Sequence, residues 1–216
     1  MVSLNFQLHM DFSPAAERNR DPIWALLKIW LDKIQKEQNL QVIDCLEIAS
    51  GTGQHAAFFA SQSQNLVMWP SDQTLDRSIS VSAWAQDAQV SQRVQALHLL
   101  DVIQENHWPN RSFPVIYCAN MVHISPWACT ESLFKGAGLH LFPKGILVMY
   151  GPYRLEGQDL APSNINFDES LKQRDSRWGI RDLNTLDQLA QQSHLTRVGL
   201  YECPANNHLV VFQKNT

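Results

Sequence analysis

A two-glycine turn, Ser50-Gly51-Thr52-Gly53, follows the apolar run Val42 to Ala49 and precedes Gln54 to Gln62, which reads as a helix. Glycines at such a junction let the backbone approach a ligand closely, because no Cβ intervenes. Asp72 lies 19 residues beyond Gly53, just after a second apolar run, Leu66 to Trp69. That is the spacing at which an acidic residue ending a second strand accepts hydrogen bonds from ribose hydroxyls. Asp101 and Asn120 end two further runs, Val94 to Leu100 and Val115 to Ala119. These types and spacings point to a nucleoside-containing ligand.

Two ligand classes fit. Gly51-Thr52-Gly53-Gln54-His55-Ala56 matches the G-x-G-x-x-A pattern of dinucleotide sites, so an NAD(P)-binding oxidoreductase is one reading. Glu47, four residues before Gly51, weighs the other way. A carboxylate repels a pyrophosphate but suits the positive charges of S-adenosylmethionine. No tyrosine is followed at the fourth position by lysine, and G-x-x-x-x-G-K is absent, so a short-chain dehydrogenase pair and a P-loop are both lacking. The cofactor-binding candidates are therefore Glu47, Gly51, Thr52, Gly53, Asp72, Asp101, Val102 and Asn120. His55 joins them as a supporting side chain. His123 and Tyr153 are the candidates for a catalytic role, set against plain packing roles. No metal-ligand spacing is present.

Elements that would position these residues alternate along the chain. Asp21-Pro22 offers an N-cap and a first-turn proline for a helix that reaches Asn39, with Ile23, Leu26, Leu27, Trp30 and Ile34 at helical spacing. Helices are expected over 74–89, with Ile79, Ala83 and Trp84 inward, over Trp127 to Phe142, and from an Asp182 cap to Ser193. A fifth strand runs from Gly145 to Tyr150 after the Pro143-Lys144-Gly145 turn. Two last strands, Leu195 to Glu202 and His208 to Gln213, are joined by a short turn-rich loop that suits an antiparallel hairpin. Alternation of this kind gives α/β architecture with a mostly parallel, doubly wound sheet whose ligands sit at the carboxyl ends of the strands. The stretch 155–181 is long for a connection and reads as an insert near a substrate site. Lys172, Arg174, Arg177 and Arg181 within and beside it read as a solvated face.

A chain of 216 residues suits a single domain, 1–216. With 44% hydrophobic and 18% charged residues it is not a disordered tail, and a net charge of −4 argues against a general nucleic-acid binder. No signal peptide or membrane span is expected. Four cysteines without a Cys-x-x-Cys pair fit a reducing compartment, so a cytoplasmic protein is expected. No recognition domain is appended, which favours a small-molecule partner.

Glu47 to Gly53 resembles motif I of class I S-adenosylmethionine-dependent methyltransferases, with Ala49-Ser50 where that motif has its first glycine. The whole chain resembles, more specifically, the methyltransferase-like 26 family. That resemblance rests on Ser13-Pro14-Ala15-Ala16-Glu17-Arg18-Asn19-Arg20-Asp21-Pro22-Ile23, the motif I turn with Gln54-His55, and Trp69-Pro70-Ser71-Asp72. It continues through Asn120 to Trp127, Tyr150 to Tyr153, Ser163-Asn164, Phe167-Asp168 and Trp178 to Leu183. It implies a Rossmann-like class I methyltransferase fold with a seven-stranded sheet, S-adenosyl-L-methionine as cofactor, and methyl transfer to a small molecule. It also implies that segment 1–21 is a lid, with Arg18 or Asn19 reaching the cofactor. A non-catalytic cofactor-binding protein of the same fold is the remaining alternative.

Overall fold

A computed structural model describes residues 9–216 of the chain; residues 1–8 of the expected lid lie outside the described residues. The first helix, α1, runs Pro14–Glu37 and starts seven residues before the expected Asp21 cap. Ser13-Pro14 offers the same combination of capping hydroxyl and first-turn proline: the Ser13 Oγ accepts from the Ala16 amide at 3.3 Å. Pro22 is thereby inside the helix, where it cannot donate to the Arg18 carbonyl. The described part of the lid segment is thus a short strap, then two turns of α1.

Strand β1 (Ile43–Ile48) is followed by α2 (Gln54–Gln62), β2 (Leu66–Asp72), α3 (Ser78–Asp87), β3 (His98–Leu99) and β4 (Phe113–Ala119). Next come α4 (Trp127–His140), β5 (Leu141–Gly151), β6 (Tyr153–Arg154), α5 (Pro162–Arg174), β7 (Arg181–Asp182), α6 (Leu183–Gln192), β8 (Leu195–Cys203) and β9 (Asn207–Lys214). The main sheet has seven strands in the order β3-β2-β1-β4-β5-β9-β8. β1, β2, β3, β4 and β5 are parallel, while β9 is antiparallel to both β5 and β8. The expected fold and closing hairpin are therefore present, and the order in which strands are added across the sheet reverses between β1 and β4.

Alternation along the strands feeds two apolar layers. Cys45, Val115, Tyr117, Ile146 and Val148 pack under α1, α2 and α3 with Ile23, Leu27, Ile34 and Phe59. Leu46, Ile116, Leu147 and Phe212 pack under α4 and α6 with Leu133, Phe134 and Leu186. Burial on both faces matches the near-continuous apolar runs of the parallel strands.

Several boundaries differ from expectation. β3 shrinks to His98–Leu99 plus a bridge between Met68 and Val94, because it is an edge strand with only one neighbour. Ile79 faces solvent at 59% exposure; Val81, Ala83 and Ala85 are the inward apolar residues of α3, with Trp84 only half-buried. The Pro143-Lys144-Gly145 turn is absorbed into β5, which starts at Leu141 and shifts register against β4 between Phe113 and Val115. Insert 155–181 is not a bare loop: it holds α5, and β6 and β7 clamp its two ends in a parallel pair. The described helices include none long and apolar enough to cross a membrane. All four cysteines are free; Cys45 and Cys118 are buried, while Cys129 and Cys203 are only half-buried.

Candidate functional site

At the reversal point the chain leaves β1 through Ala49, Gly51 and Gly53, all with positive φ (55°, 56° and 87°). Gly53 occupies the N-cap position of α2, and a Cβ there would lie 2.7 Å from the Val81 backbone. The turn is stitched to the end of β2. Asp72 accepts from the Gly51 amide at 2.9 Å and from the Gln73 amide at 2.8 Å. The Ser50 amide donates to the Ser71 carbonyl, the Ser71 amide to Ser50 Oγ, and the Ser71 hydroxyl to the Glu47 carbonyl. The Ser80 hydroxyl of α3 donates to the Thr52 carbonyl at 2.8 Å.

Two adjoining cavities open above this turn. The smaller, about 250 Å³, is walled by Asp72, Asp101, Val102, Leu100, Met121 and Cys129. The larger, about 740 Å³, takes in Glu47, Thr52, His55 and Asn120 together with Arg18 and Asn19 of α1. Ala49, Gly51, Arg77 and Ile124 line both. The predicted cofactor residues thus converge, with Gly53 buried just beneath them. Asp101 also holds its own loop, accepting from the Ile103 amide at 3.1 Å.

Glu47 is 2% exposed, yet it lines the larger cavity and its Oε2 has no partner. Burial pushes its carboxyl up to about 8; hydrogen bonding from Ser50 opposes that rise, and the charge of Asp72 adds to it. Beside it, His55 engages Asn19 Oδ1 through Nε2 at 2.7 Å and the Tyr117 hydroxyl through Nδ1 at 3.4 Å, with Phe59 stacked on its ring. Burial is the main reason its imidazole drops to about 4, so it is neutral. Asn19 and His55 therefore lock α1 to α2 over the turn. The strap before α1 is tied down as well. The Asp11 amide donates to Ser80 Oγ, Trp84 Nε1 donates to the Asp11 carbonyl, and the Ser13 amide donates to Gln54.

The two catalytic candidates have packing roles. His123 has no exposed surface and lines none of these cavities. It meets Tyr153 edge-on at 5.1 Å and fills the space a Cβ on Gly151 would need, 2.4 Å from its Nε2. Burial first, then Arg181, lowers its imidazole to about 3. Tyr153, 2% exposed, borders a separate cleft of about 230 Å³. Neither side chain lines either cavity above the glycine turn.

Other residues at the site escaped sequence reading. Arg77 sits against Gly51 and pairs with Asp11 at 3.6 Å; nothing in its neighbourhood marks it in the sequence. Pro204 and Ala205 come from the β8–β9 loop, and Asn207 from the start of β9. A reversed last strand obliges that loop to land on the same edge as the ends of β1 and β4, which is a topological signal. Asn164 and Phe167, from α5, were not missed: they lie in the insert expected near a substrate site. Of the basic residues around α5, Arg174 and Arg177 are solvent-exposed as expected, while Arg154, Lys172 and Arg181 are tethers. Arg154 and Lys172 both reach Asp168 at 2.7 Å, and Arg181 donates to the Val122 and Ser125 carbonyls at 2.8 and 2.7 Å.

Residues 10–214 match the family described as protein of unknown function (DUF938), and the chain belongs to that family. Among solved structures, it resembles an O-methyltransferase family protein from Burkholderia thailandensis, with a TM-score of 0.71 at 12% identity over 94% of this chain and 60% of that one. The S-adenosylmethionine-dependent methyltransferase SibL in its apo form gives 0.73 at 13%, over 94% and 56%. An O-methyltransferase family 2 protein from Planctomyces limnophilus, in complex with apigenin, gives 0.68 at 17%, over 80% and 50%. The chain spans between half and three-fifths of the length of these three. At such identities the likeness shows the fold, which is the Rossmann-like methyltransferase fold.

Proposed function

We propose that this DUF938 member is an S-adenosylmethionine-dependent methyltransferase acting on a small molecule. The observation that carries the reading is Glu47: a buried carboxyl with an unpartnered oxygen, facing a cavity at the end of β1. An ammonium group would draw its proton off and pair with the resulting carboxylate, whereas a pyrophosphate brings no positive charge to it. The same carboxyl speaks against the NAD(P) alternative. The glycine turn supports close approach; a Cβ on Gly51 would already meet the Arg77 guanidinium at 3.3 Å. Asp72 and Asp101 supply acceptors for ribose and adenine in the smaller cavity, with Val102 as an apolar wall. The resemblance to the methyltransferase-like 26 family supports this assignment, and the free cysteines support a cytoplasmic setting.

When bound, the cofactor supplies an already activated methyl group. The chain's own work is then to bind, align and exclude water. Thr52 and Asn120 flank the larger cavity, and the first turns of α1, pinned through Asn19 to His55, roof it. Thermal-shift measurements with S-adenosylmethionine, S-adenosylhomocysteine and NADH separate the readings. Stabilisation by the first two and not by NADH is expected, and stabilisation by NADH alone would overturn the assignment. Transfer of labelled methyl from S-adenosylmethionine into a metabolite extract then tests turnover against a purely binding role.

A further inference from the structure

Beyond the glycine turn the larger cavity continues toward a second set of walls. Tyr150 lies next to the end of β5, Asn164 and Phe167 face in from α5, Asn207 from the start of β9, and Arg18 from α1 stands at the mouth. The Asn164 amide donates to the Asn206 carbonyl at 2.9 Å and closes this compartment on the side of the neighbouring cleft, where Asp159 and Glu202 lie. We propose, resting on the methyltransferase reading, that the acceptor is a small organic acid, held here by Arg18 and the Tyr150 hydroxyl and methylated on its deprotonated oxygen.

Three observations carry this. First, the compartment's charge has one sign. Arg20 pairs with Glu17 and Arg77 with Asp11, while Arg18 has no partner among the described residues. Arg18, Tyr150 and Asn207 line the same cavity. The sequence reading gave Arg18 to the cofactor; its unpaired charge on a wall shared with Tyr150 gives it here to the acceptor.

Second, no group here can take a proton from an acceptor. Both His55 nitrogens are engaged, and His123 is sealed off. Burial first, then Cys203, pushes the Tyr150 phenol up to about 12, Arg18 and Asn207 notwithstanding, so it donates a hydrogen bond and accepts no proton. Among the described residues Glu47 is the only carboxyl group lining the cavity, and it lies at the cofactor end. An ammonium or an ordinary alcohol would need a base for methylation at neutral pH, and a carboxylate or acidic phenol would not.

Third, the remaining walls, Phe167, Pro152 and Ile124, suit a compact apolar body. The step balances without proton transfer. A lone pair of the acceptor oxygen forms the O–CH₃ bond as the S–CH₃ bond breaks. That bond's electron pair stays on sulfur, and the anion and sulfonium become a neutral ester or ether and a thioether.

Ligand-observed NMR on protein saturated with S-adenosylhomocysteine tests this with benzoate, benzyl alcohol and benzylamine as matched probes. Benzoate is expected to bind at least fivefold tighter than the alcohol, with benzylamine not displacing it. Arg18→Gln should weaken benzoate at least fivefold and leave S-adenosylhomocysteine affinity within twofold. Benzylamine binding as well as benzoate, no benzoate binding, or benzoate affinity unchanged in Arg18→Gln would each overturn the proposal. A matching loss of S-adenosylhomocysteine affinity in that variant would overturn it too, by returning Arg18 to the cofactor. Failure of S-adenosylhomocysteine to bind the unaltered protein would instead defeat the methyltransferase reading on which this rests.

Discussion

The floor of the cleft and its far wall are held by different means. The floor, where β1 and β2 end, is stitched by backbone groups and short side chains: Asp72 to Gly51, Ser71 to Ser50, and Ser71 to Glu47, partners 21 to 24 residues apart. The wall made by α5 hangs on long side chains. Asp168 gathers Arg154, Lys172 and the Ile180 amide, and Arg181 reaches back 59 residues to the Val122 carbonyl. A floor of backbone and short side chains fixes one geometry and tolerates little change. A wall hung on flexible cations can vary in what it presents while the floor stays constant, as suits one cofactor and many possible acceptors.

The largest expected effect breaks the floor. Gly53→Ala places a Cβ 2.7 Å from the Val81 backbone at a φ of 87°. Left-handed backbone costs about 1–2 kcal/mol and overpacking about 1–3 kcal/mol, so a loss of about 2–5 kcal/mol is expected in urea unfolding. A loss below the left-handed cost alone would show that α3 yields easily and the floor is less rigid than its contacts suggest. Breaking the wall should cost less. Asp168→Ala leaves the buried Ile180 amide unpaired, for about 1–3 kcal/mol. Burial alone would raise the Asp168 carboxyl, but the Lys172 and Ile180 hydrogen bonds outweigh it and hold it below its usual range. Affinity for S-adenosylhomocysteine should stay within twofold in this variant; a tenfold loss would mean that floor and wall are one unit.

Glu47 sharpens the comparison through pH. Its folded carboxyl titrates near 8 against an ordinary value near 4.5. Between those values the folded protein holds a proton that the unfolded chain has released, so stability falls as pH rises through that window. Glu47→Gln removes the slope. Its melting temperature relative to the unaltered protein should therefore climb from pH 5 to pH 8, and a constant difference would show that Glu47 is ionised in the fold. The smallest effect belongs to Ala49, whose φ of 55° is left-handed backbone without a glycine. Relief of about 1–2 kcal/mol of strain, offset by about 0.5–1 kcal/mol of glycine entropy, predicts a gain of about 0.5–1 kcal/mol for Ala49→Gly in urea unfolding.

The same contrast explains what the sequence disclosed. The floor's key residues form one unbroken run, Glu47 to Gly53, with Asp72 at a fixed spacing from it, so they could be read from type and spacing. Five parallel strands followed from the alternation of strand-like and helical runs, and the closing hairpin from its short turn-rich loop. α1 was misplaced because two Asp/Ser-Pro pairs compete as caps, and distant contacts, of Ser13 with Gln54 and of Asn19 with His55, favour the earlier one. His123 looked available because a single histidine in a polar loop gives no sign of Tyr153 and Gly151 closing over it. Arg77 and Asn207 reach the cavity only through tertiary packing. No local pattern announces them, although the start of β9 at Asn207 could have been placed from the reversed strand, and Asn164 lay within the insert expected near a substrate site.

Calorimetric titration with S-adenosylhomocysteine, on the unaltered protein and on Asp72→Ala, tests the central claim most directly. One site per chain is expected, with proton release as Glu47 ionises beside the ligand's ammonium. Asp72→Ala should bind about ten- to hundredfold more weakly, since hydrogen bonds to a charged acceptor are worth about 1.5–3 kcal/mol. No heat with either S-adenosylhomocysteine or S-adenosylmethionine, or an affinity indifferent to Asp72, would contradict the account.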